Sequence, residues 1–493
     1  MATATAVKDG ILARYEPVIG LEVHCQLLTA TKIFCGCRNR FGDEPNTNVC
    51  PVCLGLPGAL PVLNREAVRL AVVAALATGC TVQPRSVFAR KNYFYPDLPK
   101  GYQISQYDRP LATEGHVEIR SGAGFGRIRL HRIHMEEDAG RLLHEGYPWS
   151  ALSSGVDYNR SGVPLIEIVS HPDLRSADEA HEYLVALKAV LQYAGVSDGN
   201  MEEGSLRCDA NVSVRPRGRE ALGTRAEIKN LNSFRNVVRA IEHEVARQAA
   251  VIDAGAAVVQ ETRLWNQDRG ETVSMRSKEE AHDYRYFPEP DLPPLRIDPA
   301  WVEEVRRALP ELPADKRARF TADYGLPAYD AGVLTASREV AGYFEEVAKA
   351  GGDAKAASNW VMTEVLRKLK EDERPLASCP VRPAQLAELI GLVEAGTISG
   401  RIAKDVFERT WSTGEAPRAI VERDGLAQVS DEGPIRTAIA EVMAASPAQV
   451  ATYRGGKTST LGWFVGQVMR KTGGKANPQL VNALFKQALD SGS

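Results

Sequence analysis

Four cysteines in one short stretch of the sequence have the spacing of a metal site. A Cys-x-Cys pair and a Cys-x-x-Cys pair are separated by twelve residues, and the four positions are Cys35, Cys37, Cys50 and Cys53. Paired thiolates on two tight turns can enclose a tetrahedral zinc ion, and four thiolates leave no position open for a catalytic water. The spacing therefore predicts a structural Zn²⁺ site. The competing interpretation is four unrelated buried cysteines.

Carboxylates on predicted β-strands form a second group that could bind a cation. Strand residues alternate between two faces, so Glu22 and His24 share one face of residues 19–27, whose other face is apolar. Glu167 lies within residues 163–169, a run that is apolar on both faces. A carboxylate buried there needs a cation or strong hydrogen-bond donors, because burying it alone is costly.

Two further strands carry acids that can be assigned to a face in the same way. In residues 133–137, Glu137 shares the apolar face, while Glu136 points to the other one. Asp209 lies on the polar face of residues 206–214. Carboxylate oxygens with one imidazole suit Mg²⁺ or Mn²⁺ better than Zn²⁺. For each acid alone a structural salt bridge is the competing interpretation, and the sequence does not show whether the four strands converge.

Residues 90–106 combine aromatic rings, lysines and amides, and they include Lys91. Aromatic side chains interleaved with cations can stack on the bases of a single-stranded nucleic-acid end and neutralise its phosphates. A loop whose tyrosines pack beneath a sheet has the same composition. Both interpretations stay open.

The C-terminal stretch of residues 450–493 is basic, although the whole chain has a formal net charge of -3. Its only acid is Asp490, and its bases are Arg454, Lys457, Arg470, Lys471, Lys475 and Lys486. This local excess of positive charge predicts sequence-independent contact with an RNA backbone. A solvated helical face is the alternative.

The 493 residues that must position these groups are enough for about three domains. Residues 15–295 have the short apolar runs of a β-rich domain, interrupted by two helical stretches at 65–78 and 176–193. Five prolines in residues 287–299 mark a boundary, and apolar spacings of three and four residues then predict helices. We expect an α+β protein with domains at residues 1–295, 296–416 and 417–493.

The composition is that of an ordinary globular protein, with 44% hydrophobic and 25% charged residues. No apolar run approaches the roughly 18 residues of a membrane span, and no export signal is present, so we expect a cytoplasmic protein with no membrane partner. Residues 455–458 end like a phosphate-binding loop, but Ala451 stands where its first glycine belongs. Any nucleotide site must therefore belong to another class.

Taken together, nine segments resemble the GatB family, the B subunits of aspartyl/glutamyl-tRNA(Asn/Gln) amidotransferases. They are VIGLEVHCQL (18–27), CPVCLGLPG (50–58), KNYFYPDLPKGYQISQ (91–106), MEEDAG (135–140), DYNRSGVPLIEI (157–168), MEEGSLRCDAN (201–211), EIKNLNS (227–233), YRYFPEPDLPP (284–294) and KANP (475–478). The resemblance extends from about residue 15 to the C-terminus. Motifs this long and numerous are highly specific.

The resemblance implies a cradle-shaped catalytic domain with a zinc knuckle, an all-α helical domain and a small helical tail similar to YqeY proteins. It also implies a GatCAB heterotrimer, in which the GatA amidase releases ammonia from glutamine and GatC braces the other two subunits. The GatB member would bind misacylated Glu-tRNA(Gln) or Asp-tRNA(Asn), or both. It would then use ATP and Mg²⁺ to phosphorylate the side-chain carboxylate, which ammonia converts to the amide.

The family roles can be carried onto individual positions. The resemblance implies that His24, Glu137 and Glu167 bind Mg²⁺ directly, with Glu22 and Asp209 close by or bridged through water. It places Lys91 opposite Glu137 as a charged gate for ammonia, so that Glu137, Lys91 and Asp209 form the catalytic set. It assigns tRNA contact to Arg454, Lys457, Arg470, Lys471 and Lys475.

Two other functions compete with this one. A non-catalytic, zinc-containing tRNA-binding protein would explain the cysteines and the basic tail but would leave the strand carboxylates without a purpose. A YqeY-like module that controls another enzyme would explain the tail alone. The sequence does not decide between Gln-tRNA and Asn-tRNA as the product.

Overall fold

The computed structural model describes residues 4–122, 124–147, 149–277, 281–428, 432–472 and 476–490. It divides into two compact units, Met1–Asp315 and Lys316–Ser493. The first unit contains the strands and the second is helical, which confirms the predicted α+β class. The finer division into domains at residues 295 and 416 stays a prediction.

The first unit is built on a ten-stranded sheet, with three smaller sheets beside it. The strands are β1 (Tyr15–Gln26), β2 (Thr81–Val82), β3 (Arg85–Ser86), β4 (Ala89–Asn92), β5 (Tyr102–Ser105), β6 (Ala112–Thr113), β7 (His116–Ser121), β8 (Gly124–Glu137), β9 (Arg141–Leu143), β10 (Gly155–Asp157), β11 (Pro164–Ser170), β12 (Leu206–Pro216), β13 (Ala226–Leu231), β14 (Glu261–Asn266), β15 (Glu271–Ser277), β16 (Phe287–Pro288) and β17 (Leu295–Arg296). The large sheet has the order β15-β14-β13-β12-β1-β11-β8-β6-β2, and β7 pairs with β8. Its neighbours are antiparallel except for the parallel pair β13–β14.

Helices cover the apolar face of this sheet. The helices of the first unit are α1 (Ala4–Arg14), α2 (Arg65–Ala77), α3 (Ala177–Tyr193), α4 (Phe234–Asp253) and α5 (Pro299–Arg307). Leu21 and Val23 of β1 belong to one hydrophobic core with Val72 of α2, Leu184 of α3 and Ile241 of α4. The alternation in β1 therefore sends Leu21, Val23 and Cys25 into the core, and leaves the other face of the strand for polar side chains.

The predicted helices α2 and α3 are confirmed, and the structure adds α1 and α4. Asn64 caps α2, and Ser176 caps α3 by accepting a hydrogen bond of 3.1 Å from the Glu179 backbone nitrogen. In α4 the apolar residues form a narrow stripe, such as Val237, Ile241 and Val245, among charged residues. Such a stripe is easily missed in a region rich in strands, although its spacing of four residues is helical.

The second unit consists of helices from Lys316 onward. They are the larger part of α6 (Pro313–Tyr324), then α7 (Ala328–Leu334), α8 (Arg338–Lys349), α9 (Ala354–Trp360), α10 (Leu366–Glu371), α11 (Pro383–Glu394), α12 (Gly400–Thr413), α13 (Pro417–Arg423), α14 (Glu432–Ala445), α15 (Pro447–Arg454), α16 (Leu461–Lys471) and α17 (Pro478–Asp490). Helices α14 to α17 enclose a core of their own, with Phe464 and Phe485 at its centre. Across the described residues, we find no helix with the length and hydropathy needed to cross a membrane.

Candidate active-site cleft

The polar face of the large sheet forms the floor of a cleft of about 950 Å³. Side chains from β1, β8, β11, β12 and β13 line this floor. Aromatic residues from two loops, at 93–95 and 284–286, line it as well. The four strands that carry the predicted acids therefore do converge on one cavity.

Glu167 occupies the middle of a row of three side chains on adjacent strands. It lies opposite His24 across the β1–β11 pair and opposite His134 across the β11–β8 pair. His24 Nε2 is 3.4 Å and His134 Nε2 is 3.3 Å from the same carboxylate oxygen, Glu167 Oε2. The antiparallel register alone brings these three residues together, since directly opposed side chains are close neighbours on one face.

Glu136 completes the cluster from β8, two residues beyond His134. Its Oε1 atom is 3.7 Å from His24 Nε2, and its Oε2 atom accepts a hydrogen bond of 3.2 Å from Ser105 Oγ. Ligand atoms of His24, Glu136 and Glu167 all lie within 4.8 Å of one another. Two carboxylates and one imidazole at this spacing suit a hard divalent cation such as Mg²⁺.

The charges of the cluster are mutually dependent. Burial lowers the pKa of His24, but the hydrogen bond and the charge of Glu167 outweigh burial and raise this pKa to about 9. Burial also raises the pKa of Glu167, yet His134 and His24 hold it well below its ordinary value. Protonated imidazole thus balances the carboxylates here, and a bound divalent cation would replace that proton.

Glu22 and Asp209 also line the cleft, next to the cluster and opposite each other across the β1–β12 pair. Glu22 Oε1 accepts a hydrogen bond of 2.8 Å from Asn211, and Asp209 Oδ2 is 2.7 Å from Lys229 Nζ. Burial and the neighbouring carboxylates, Glu167 first, raise the pKa of Glu22. Both residues lie on the strand face that the sequence assigned to them, beside the group that could hold a cation.

Glu137 does not join the cluster, which corrects the expected ligand set. Its side chain points to the other side of β8, where it pairs with Lys100 and accepts a hydrogen bond of 2.8 Å from the Ile104 backbone nitrogen. Consecutive strand residues face opposite ways, so Glu136 takes the position expected of Glu137. The alternation in the sequence already assigned Glu136 to the polar face. The structure agrees with this alternation and not with the ligand set that the family resemblance implied.

Lys91 does not face Glu137 either, so the expected Lys91–Glu137 gate is also corrected. Lys91 lines the cleft, with its ammonium 4.6 Å from the ring centre of Tyr284 and 5.7 Å from that of Tyr93. The lysine that pairs with Glu137 is Lys100. This pair lines a separate cavity of about 100 Å³ beside the cysteines.

His134 is a residue of the cleft that sequence analysis missed. Only 4% of its side chain is exposed, and its Nδ1 atom has no hydrogen-bond partner among the described residues. Arg132 lines the cleft two residues before it. Strand alternation could have predicted it, because Arg132, His134 and Glu136 alternate with the apolar Ile133 and Met135 and so share the polar face.

The four cysteines form a second, preorganised cluster. The sulphurs of Cys35, Cys37, Cys50 and Cys53 lie within 4.8 Å of one another. Cys50 Sγ and Cys53 Sγ are 3.9 Å apart, against about 3.8 Å for two sulphurs bound tetrahedrally at 2.3 Å from zinc. A hydrogen bond from Cys35 holds the pKa of Cys53 below that of an ordinary thiol. The donor set and its spacing therefore fit Zn²⁺.

The predicted tRNA-binding residues lie in the helical tail, except Lys475, which falls outside the described residues. Arg454, Lys457, Arg470 and Lys471 are all exposed. Two of the four already have partners, because Arg454 donates to the Leu489 carbonyl and Lys471 pairs with Glu441. Their exposure is compatible with RNA contact, which stays a prediction.

Comparison with known proteins covers nearly the whole chain. Residues 17–303 match the family described as the GatB/GatE catalytic domain, and residues 342–489 match the GatB domain. A protein from Geotalea uraniireducens is 59% identical over 477 residues, 97% of this chain and 100% of its own. Proteins from Prosthecochloris aestuarii (58% over 478 residues; 97% and 98%) and Geobacter sulfurreducens (59% over 475 residues; 96% and 99%) are similarly close. All three carry the name of the B subunit of aspartyl/glutamyl-tRNA(Asn/Gln) amidotransferase.

Proposed function

The chain belongs to the GatB family of tRNA-dependent amidotransferase subunits, and from this premise we propose that its cleft carries out the ATP-dependent half of the amidation. The substrate would be misacylated Glu-tRNA(Gln), Asp-tRNA(Asn) or both. The observation that carries the proposal is the cluster of His24, Glu136 and Glu167 on the floor of a cleft large enough for an aminoacyl end and a nucleotide.

The chemistry explains why the cleft needs no nucleophilic side chain. A side-chain carboxylate is a poor acylating agent, because its leaving group would be oxide or hydroxide. Transfer of the γ-phosphoryl group of ATP to that carboxylate gives an acyl phosphate and ADP. Ammonia then forms the new C–N bond and phosphate departs. The protein has only to hold the reactants in line and to neutralise their charge.

His24, Glu136 and Glu167 would hold Mg²⁺, which when bound neutralises phosphate charge and orients the transferred group. His134 would keep Glu167 oriented from the opposite strand, through the 3.3 Å contact between Nε2 and Oε2. Asp209 and Glu22 would support the same face, with Lys229 balancing the charge of Asp209. Lys91 lines the same cleft and its ammonium lies among tyrosine rings. Within the described part of the chain no carboxylate oxygen lies within 4 Å of that ammonium, so Lys91 would suit an incoming phosphate.

Ammonia is proposed to enter past the Lys100–Glu137 pair. Lys100 thus replaces Lys91 as the proposed gate residue opposite Glu137. That pair is almost fully buried, with 8% and 3% of its side chains exposed, and it lies on the far side of β8 from the cation ligands. Ammonia would come from a GatA amidase held together with this chain and with GatC in a heterotrimer, consistent with the naming of the relatives as subunits. The complex is expected in the cytoplasm.

The cysteine cluster is proposed as a structural Zn²⁺ site. All four ligands would be cysteine sulphurs. The knuckle is joined to the neighbouring loop by hydrogen bonds such as that from Ser161 Oγ to the Cys53 carbonyl, 3.1 Å long. Zinc would thereby fix one wall of the cavity that contains Lys100 and Glu137. The basic tail is proposed to contact tRNA.

The proposal is tested by reconstituting the chain with GatA, GatC, glutamine, ATP, Mg²⁺ and Glu-tRNA. We expect Gln-tRNA to form, and we expect Glu136→Gln and Glu167→Gln to abolish its formation while glutamine hydrolysis continues. A complex that amidates normally with either substitution contradicts the metal role. A non-catalytic tRNA-binding protein would bind the tRNA and produce no Gln-tRNA under any condition.

A further inference from the structure

Two aromatic residues at the edge of the cleft are more exposed than ring side chains usually are. Phe94 is 84% exposed and Tyr95 is 58% exposed, and both line the same cavity as the His24 cluster. They follow β4 directly, in the segment whose role the sequence left open. A loop that packs its rings beneath a sheet would bury them, so the structure excludes that interpretation for these two residues.

The loop that carries the two rings is firmly anchored. Tyr158 donates a hydrogen bond of 2.9 Å to the Pro96 carbonyl, and the Gly140 backbone nitrogen donates one of 2.7 Å to the Asp97 carbonyl. Leu98 is buried beneath the loop. The rings are therefore presented to solvent by a fixed backbone, which lowers the entropy cost of binding a partner.

Gly101 shows how closely the Phe94 ring is held at the base of the loop. Gly101 has a φ of +73°, a region that favours glycine, and a Cβ atom there would come within 3.0 Å of the Phe94 ring. The absence of a Cβ atom at Gly101 thus lets one edge of the Phe94 ring pack against the backbone at this position. Most of the ring surface remains open to a flat ligand.

We propose that Phe94 and Tyr95 stack on the base of the 3′-terminal nucleotide of the aminoacyl-tRNA. The inference rests on the proposed function. The amino acid is esterified to the terminal ribose, so when its side-chain carboxylate reaches His24, Glu136 and Glu167 the terminal base must lie near the mouth of the cleft. An unpaired RNA end offers the open face of its base, and aromatic side chains bind such faces.

The nucleotide cosubstrate is a less suitable occupant of this surface. Small-molecule sites usually bury most of their ligand, whereas these rings stand largely in solvent. A recess of about 390 Å³ adjoins the cleft and shares Glu22, Arg225 and Gln260 with it. Of these, Arg225 and Gln260 immediately precede β13 and β14, while the aromatic loop is hydrogen-bonded to the segment that follows β8. The sheet therefore leaves room for a nucleotide away from Phe94.

The experiment compares the wild-type heterotrimer with Phe94→Ala and Tyr95→Ala complexes. Trp149→Ala is the matched control, because Trp149 is 71% exposed on the same unit and is not among the residues lining the cleft. We expect KM for Glu-tRNA to rise about fivefold or more in each loop variant, because each variant loses a ring that stacks on the base. The kcat, KM for ATP and thermal unfolding should not change, and Phe94→Trp should restore the wild-type KM.

A second measurement reports stacking directly and needs no turnover. A tRNA with 2-aminopurine in place of its terminal adenine should lose fluorescence on binding the wild-type and Trp149→Ala complexes, because stacking quenches this base. It should lose less on binding the Phe94→Ala and Tyr95→Ala complexes at saturation. Unchanged KM and unchanged quenching in both variants would overturn the inference. A rise in KM for ATP instead would assign the rings to the cosubstrate.

These outcomes separate the inference from the function on which it rests. If the wild-type complex binds Glu-tRNA and never amidates it, the proposed function is wrong, while the fluorescence measurement still decides whether the rings contact the terminal base. If the wild-type complex amidates Glu-tRNA and the loop variants match it in both KM and quenching, the proposed function is supported and the proposed stacking on Phe94 and Tyr95 is wrong.

Discussion

His134 lies directly opposite Glu167 on the neighbouring strand, with its Nε2 atom 3.3 Å from Glu167 Oε2. This contact gives the central carboxylate of the cleft a second imidazole in addition to His24. Because the contact follows from the β8–β11 register, the sheet itself fixes the direction of the Glu167 side chain. A cation bound at His24, Glu136 and Glu167 would therefore meet a ligand that is already oriented.

The first prediction concerns this contact. His134→Ala removes the partner that orients Glu167, so the apparent affinity of the complex for Mg²⁺ should fall about 10- to 100-fold. Titration of ATP-dependent amidation with Mg²⁺ measures the change, and Mn²⁺ binding followed by electron paramagnetic resonance measures it without turnover. His131→Ala is the control, because His131 lies on the same strand and is exposed. Equal Mn²⁺ affinity in the two variants would contradict an orienting role.

The second prediction separates two consecutive glutamates. Glu136→Gln removes a cation ligand, and Mn²⁺ affinity should fall at least about tenfold. Glu137→Gln should leave Mn²⁺ affinity unchanged, because Glu137 faces Lys100 on the other side of β8. The same resonance titration compares the two variants under identical conditions. The opposite result, with the larger loss in Glu137→Gln, would return Glu137 to the ligand set.

The third prediction concerns the buried pair of Lys100 and Glu137. Removing one partner leaves a buried charge unpaired, so Lys100→Met should lower the free energy of unfolding by about 3–5 kcal/mol. Adding Glu137→Met should recover much of that loss, because two apolar side chains leave no unpaired charge in the interior. Denaturant unfolding of the two single variants and the double variant measures the coupling. Additive losses would show that the two side chains do not interact.

The same double variant tests whether Lys100 and Glu137 form a gate for ammonia. If the pair is a gate, glutamine hydrolysis should continue at the wild-type rate while glutamine-dependent amidation changes relative to amidation supplied with free ammonium. A variant that alters both nitrogen sources equally would place the pair in protein stability alone.

The fourth prediction is that the purified chain contains about one equivalent of zinc. Elemental analysis measures it, and less than about half an equivalent would count against the site, given four cysteine sulphurs at the right spacing. Cys53→Ser should lower both the zinc content and the unfolding temperature. Cys80→Ser is the matched control, since Cys80 is also a buried free cysteine and lies outside the cluster.

Much of the cleft could be predicted from the sequence, because strand alternation is a local property. It placed Glu22 and His24 on one face and Glu136 on the polar side of its strand. Strand alternation could not predict the register between neighbouring strands, because register depends on pairing between segments far apart in sequence. It is this register that brings Glu167 between His24 and His134. Family resemblance then favoured Glu137 over Glu136. The structure places Glu136, and not Glu137, beside His24 and Glu167, because one position along a strand is the difference between its two faces.

The last prediction concerns the basic tail, where the structure distinguishes cations that the sequence treats alike. Lys471 is already paired with Glu441, whereas Lys457 and Arg470 have no carboxylate within 4 Å among the described residues. A lysine or arginine that contacts phosphate releases a counterion, so each lost contact should reduce the slope of log K against log salt by roughly 0.7–0.9. We expect that reduction in Lys457→Ala and Arg470→Ala complexes and a smaller one in Lys471→Ala, measured as tRNA binding between about 50 and 200 mM salt.

The comparison is informative because all three substitutions change the net charge of the tail equally. Identical slopes in the three variants and the wild type would exclude direct phosphate contact, while equal reductions in all three would mean that overall charge, and not particular side chains, governs binding.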